Sequence, residues 1–175
     1  RLRLAVCCSL ALSSLAECPN TERLARTWAQ LSETETPHPE VAQAAARRWL
    51  DLGGEPGRAL QWLMPQWNEC LHQPDSLDGA QRQSLVLLFE QALTALPPDA
   101  DWLQRLERAS QQWPQHSEWA YLSACVFMRH SLWGKAQQVL ERCAPRLSSG
   151  VLQRRAWARL AELAEQRGDA AAAAV

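Results

Sequence analysis

Apolar residues recur along this chain at intervals of three and four, as in Trp102, Leu103, Leu106 and Ala109. That is the period of a helix with one buried face. No stretch alternates apolar and polar residues as a half-buried strand does. Segments of roughly 10 to 18 residues, rich in Ala, Leu, Gln, Glu and Arg, favour helix on propensity as well. Breakers divide them: Pro19-Asn20, Pro37 to Pro39, Gly53-Gly54, Pro74 to Gly79, Pro97-Pro98, Pro114, Pro145, Ser148 to Gly150, and Gly168-Asp169. Asp78, Asp99, Ser117 and Ser131 stand where helix N-caps belong. The pattern predicts an all-α fold of about ten short helices joined by short turns.

Short helices in succession call for a repeat search. In the stretch from Arg154, Trp157, Leu160 and Ala161 fall at positions 4, 7 and 8, Gly168-Asp169 at 15 and 16, and Ala173 at 20. This resembles the tetratricopeptide repeat, a 34-residue unit of two antiparallel helices. Small residues at 8 and 20 let the helices approach, and large ones fill the space beside them. From Ser117 the frame places Ala124 at 8, Phe127 at 11, Trp133 at 17, Ala136 at 20, Leu140 at 24 and Cys143 at 27. From Glu40 it places Leu50 at 11, Gly54 at 15, Ala59 at 20 and Leu63 at 24. Weaker copies start near Gln83 and Val6. Starts near 6, 40, 83, 117 and 154 give spacings of 34, 43, 34 and 37, the longer two containing the polar loops HQPDSLDG and LSSG. The resemblance implies one domain over 1–175: about five repeats wound into a right-handed superhelix.

The opening, RLRLAVCCSLALSSLAEC, has the charge–apolar–small order of an export signal. Three serines interrupt the run, and it already lies in the repeat frame. It therefore reads as helix A of the first repeat, with its partner helix starting at Asn20.

Eighteen basic and nineteen acidic residues leave a net charge of −1, which makes no electrostatic case for nucleic acid or an anionic membrane. Beyond the opening, no uncharged apolar run is long enough to span a bilayer. The six cysteines form no Cys-x-x-Cys pair, and the four histidines are scattered, so no zinc-ligand spacing exists. Most cysteines sit among Leu, Ala and Val, where a reduced thiol acts as a small hydrophobe; this favours a reducing compartment. Nucleophile–base arrangements and phosphate-binding glycine loops are also missing from the pattern.

The stretches LARTWAQL, RRWLDLGGEPGRALQWL, FMRHSLWGKAQQVLE and RLAELAEQRGD are similar to the C-terminal part of the HemY family. These are tetratricopeptide proteins of the proteobacterial inner membrane, encoded with late tetrapyrrole genes. Leu132-Trp133-Gly134-Lys135-Ala136 is the most specific of the matching runs. The resemblance implies a non-enzymatic scaffold for late protoheme and porphyrin biosynthesis, with haem-biosynthesis enzymes among its protein partners. The family's two N-terminal membrane helices have no counterpart here. The chain is then a fragment cut after them, on the cytoplasmic side of a Gram-negative inner membrane. An assembly factor of another envelope pathway is the rival reading, and the fragment's last helical face invites a homodimer.

In the repeat frame, the concave face takes positions 2, 5, 9 and 12 to 13 of each unit. These give Arg48, Gln91, Tyr121, Cys125, Arg129, Arg155 and Glu162, with Arg159 one turn from Arg155. Two arginines at i and i+4 suit bidentate capture of carboxylates. The carboxylate clamp of related chaperone-binding repeats also uses Lys and Asn at 5 and 9 of its first repeat, and neither is present. No cofactor is required; direct haem or porphyrin binding is the alternative, with Cys18-Pro19 matching the dipeptide of haem-regulatory motifs. A proline after a helix end needs no such role, because it cannot continue the helix. Of nine tryptophans, Trp49, Trp102, Trp133 and Trp157 fall at or near packing positions and are expected in the core.

Overall fold

A computed structural model describes residues 2–166 and 168. The protein is all-α: the described residues contain nine α-helices, two short 3-10 turns and no strand. The tenth expected helix and Ala173 lie outside the described residues. The chain divides into two compact units, Arg1–Ala95 and Leu96–Val175.

The first unit holds α1 (Leu2–Ala16), α2 (Thr21–Gln30), α3 (Pro39–Asp51), α4 (Pro56–His72) and α5 (Gly79–Ala95). The opening segment is a helix packed against α3 through its buried Cys8, Ala11 and Leu15. Asn20 caps α2, its side chain accepting from the Arg23 amide at 2.9 Å. Helix α3 is the centre of the unit, touching α1, α2, α4 and α5. Its Val41, Ala42, Ala45 and Ala46 are wholly buried, as Ala59 and Leu63 are on α4. Inside this apolar contact lies an amide pair: Gln43 Nε2 donates to Gln66 Oε1 at 2.8 Å and to the Gln81 carbonyl at 3.1 Å. Buried amides are tolerated only when bonded, so this pair fixes the register of α3 on α4.

The second unit holds α6 (Ala100–Gln112), α7 (Ser117–Arg129), α8 (Trp133–Cys143) and α9 (Gly150–Gln166). Helix α7 packs against α6, α8 and α9, and every residue from Tyr121 to Phe127 is buried. Ala124 and Ala136 are fully buried, and Ala161 is half-buried.

Both hairpins, α3–α4 and α7–α8, leave their first helix through a Schellman turn. In the first, the Gly54 amide reaches the Trp49 carbonyl at 2.9 Å and Gly53 reaches Leu50 at 3.0 Å. In the second, Leu132 reaches Phe127 at 2.9 Å and Ser131 reaches Met128 at 3.0 Å. Leu52 to Glu55 join the first pair, but only His130 to Leu132 join the second. The first link is thus one residue longer. Counted back from the left-handed residues Gly53 and Ser131, Ala46 in α3 stands where Ala124 stands in α7.

Of the expected caps, two are present. Asp78 accepts from the Gln81 amide at 2.8 Å while Gln81 returns a bond to the Asp78 amide, a capping box. Asp99 accepts from the Asp101 amide at 2.9 Å. Ser117 instead lies one residue inside α7, and Ser131 stands in the left-handed turn at φ 59°.

Candidate functional site

The expected groove residues scatter into different roles. In the first unit, Arg48 bonds the Cys18 carbonyl through Nε at 3.1 Å and Nη2 at 2.8 Å. It ties the link after α1 to α3 and is spent on structure. Gln91 is exposed on α5. Cys18 is 2% exposed, and its thiol donates to the Ser14 carbonyl at 3.2 Å with Thr27 Oγ1 at 3.4 Å.

In the second unit, Tyr121 and Cys125 do not form a ligand-facing surface. Both are buried, because α7 is enclosed by neighbours on most of its circumference. Arg129 is exposed at the end of α7 and donates to the Leu96 carbonyl at 2.9 Å. On α9, Arg155 is exposed, and Arg159 pairs with Glu162 at 2.9 Å. These three, one face of α9, are the part of the expected set that the fold keeps together at a surface.

The tryptophans also divide. Trp49 is buried as expected and meets Trp62 edge-on at 5.2 Å, while Trp28 stacks on Trp62 at 4.7 Å. The Arg58 guanidinium caps the cluster 5.1 Å from the Trp49 ring. Trp67 and Trp119 are buried too, and Trp102 is half-buried. Trp133 and Trp157, expected in the core, are 37% and 52% exposed. Both lie on helices whose described neighbours leave that side uncovered.

One feature absent from the sequence reading is a cleft of about 250 Å³ inside the second unit, formed by the ends of α6 and α8 and the start of α7. Arg142 and Arg146, one helical turn apart, are its sequence signal, but Ser117 joins them only through the fold. All six cysteines are free thiols. Burial pushes the Cys70 thiol up from its ordinary value, and Cys143, on the cleft wall, is pushed up to about 11. Among the described residues, no three His, Cys, Asp or Glu side chains converge as metal ligands, and no helix is long and apolar enough to cross a membrane.

Comparison with protein-family models, with curated proteins and with solved structures gives no match for this chain.

Proposed function

We propose that the chain is a non-enzymatic scaffold built of tetratricopeptide-type helix pairs that docks protein partners. The observation that carries this reading is the burial of Ala46 with Ala59, and of Ala124 with Ala136, in two hairpins of the same plan. Small residues at these places serve to nest antiparallel helices, and successive nested pairs make the extended surfaces that repeat proteins use for binding. The similarity of the Leu132–Ala136 run and its neighbours to the HemY family supports a narrower setting. There the chain is the soluble domain of an inner-membrane protein of late haem and porphyrin biosynthesis, facing the cytoplasm, with biosynthetic enzymes as partners. A haem-carrying role has less behind it, since the Cys18 thiol is buried and already bonded within the protein.

The docking face is assigned to α9, where Arg155, Arg159 and Glu162 stand together. The test is crosslinking of the membrane-bound parent protein in its native cell, comparing wild type with Arg155→Glu/Arg159→Glu. The double variant is expected to lose its crosslinked partners while circular dichroism keeps its helical signal. Equal crosslinking overturns the α9 assignment. Partners drawn from another envelope pathway, or a gene neighbourhood without tetrapyrrole enzymes, overturn the haem setting alone.

A further inference from the structure

We propose that the cleft at the start of α7 binds an oxyanion, a carboxylate or phosphate group carried by a ligand. This site is independent of the α9 docking face and of the haem setting.

Four observations converge on it. First, the N-terminus of α7 has no side-chain cap: His116 occupies the N-cap position and makes no capping bond. The first amides of a 13-residue helix therefore point outward with the positive end of its dipole. Second, Ser117 lines the cleft and is only 5% exposed, and its hydroxyl has no hydrogen-bond partner among the described residues. That hydroxyl opens onto the cleft, where an acceptor on a ligand would take its proton as a hydrogen bond. Third, Arg142 and Arg146 line the same cleft from the end of α8 and the 3-10 turn after it. Both are exposed, and neither has an ion-pair partner among the described residues. Their guanidinium forks match oxyanions in shape and charge.

Fourth, the cleft wall itself carries no negative charge, although Glu118 stands beside Ser117 in the first turn of α7. No acidic side chain lines the cleft, and Glu141, beside Arg142, accepts a bond from Gln137. Cys143 on the wall stays a neutral thiol at physiological pH, because burial holds its proton. Ala120 and Val139 supply an apolar lining, so the ligand carries its charge on a small head and apolar atoms behind it. A volume of about 250 Å³ takes such a head group.

The test is a ¹H–¹⁵N correlation spectrum of the full chain, titrated in turn with inorganic phosphate, sodium acetate and, at matched ionic strength, sodium chloride. Saturable shifts at the Ser117 and Glu118 amides are expected with one or both oxyanions and not with chloride. Phosphate alone saturating assigns a phosphoryl ligand; acetate alone assigns a carboxylate. Arg142→Ala/Arg146→Ala, both on exposed positions, is expected to weaken binding by about tenfold or more, and Ser117→Ala by about threefold or more. Shifts that match those of chloride, fail to saturate, or persist unchanged in the double arginine variant overturn the site. A far-ultraviolet spectrum identical to wild type certifies each variant as folded.

Discussion

The α3–α4 and α7–α8 hairpins have the same helix lengths at their start, the same pair of reversed turn bonds, and buried alanines facing across each contact. They differ in what occupies the turn. The first has Gly53 at φ 74° followed by Gly54, against which the Trp49 indole lies. Trp49 Nε1 donates to the Glu55 carbonyl at 2.8 Å, and the Glu55 carboxylate caps α4 through the Gly57 and Arg58 amides. The second has Ser131 in the left-handed position and Leu132 after it, with no side-chain cap on α8. One turn is an aromatic lock built around a missing side chain. The other holds by its backbone bonds and, at its edge, by the His130 imidazole 3.3 Å from the Asp99 carbonyl. The same topology is therefore reached with very different tolerance to change, and substitutions made in parallel measure the difference.

Gly54→Ala has the largest expected effect. A β-carbon there would lie 2.3 Å from Cε2 of Trp49, so the ring must leave its seat and its bond to Glu55. A loss of about 3 kcal/mol in urea unfolding is expected, at the upper end of overpacking costs. The equivalent change in the other turn, Leu132→Ala, removes a side chain that is 41% exposed and is expected to cost about 0.5 kcal/mol or less.

Next in size is a pH effect that is largest in the second hairpin. The Cys143 thiol titrates near 9 when unfolded and near 11 when folded. The folded state therefore keeps a proton that the unfolded state releases. Stability from this group is present in full below pH 9 and falls as the pH rises toward 11, by on the order of 2 kcal/mol. Cys143→Ala is expected to flatten that part of the stability–pH curve. Buried Cys70 acts in the same direction, so a smaller alkaline slope remains.

The smallest effects come from exchanging the left-handed residues. Left-handed backbone costs a residue with a β-carbon about 1–2 kcal/mol, and glycine's greater freedom when unfolded offsets about 0.4–1 of that. Gly53→Ser is expected to lose about 0.5–1 kcal/mol, its β-carbon meeting nothing within 4 Å. Ser131→Gly is expected to gain a similar amount. Equal signs for the two changes would mean that the turns are not equivalent.

Much of the fold was legible because helix propensity, three–four periodicity and Gly or Pro breakers agree over most of the chain. Asp78 and Asp99 were readable as caps because each stands directly before its helix. Ser117 and Ser131 were not. Serine marks a helix start by habit, but Ser117 falls one residue late, and nothing in the sequence announces a serine taking a conformation that glycine usually fills. The extra residue between Gly53 and Pro56 was equally hidden, as was the bond of Arg48 to the Cys18 carbonyl, made on the other side of the α1–α3 contact. Tyr121 and Cys125 were misplaced because α7 is buried on more than one face, which period alone does not reveal. Trp133 and Trp157 carry the large apolar rings that a core position calls for and still face outward. The cleft was illegible for a simpler reason: Ser117 and Arg142 are far apart in the chain, and only packing brings them together.

The central claim is that small side chains at matched places let the helix pairs nest. Urea unfolding of Ala46→Leu and Ala124→Leu, each against wild type, tests it most directly. Both alanines are fully buried, so each variant is expected to lose about 3 kcal/mol, with Ala161→Leu on the half-buried α9 position losing distinctly less. Stability within about 0.5 kcal/mol of wild type for Ala46→Leu and Ala124→Leu would contradict the account, because space for the added carbons would mean the helices do not meet there.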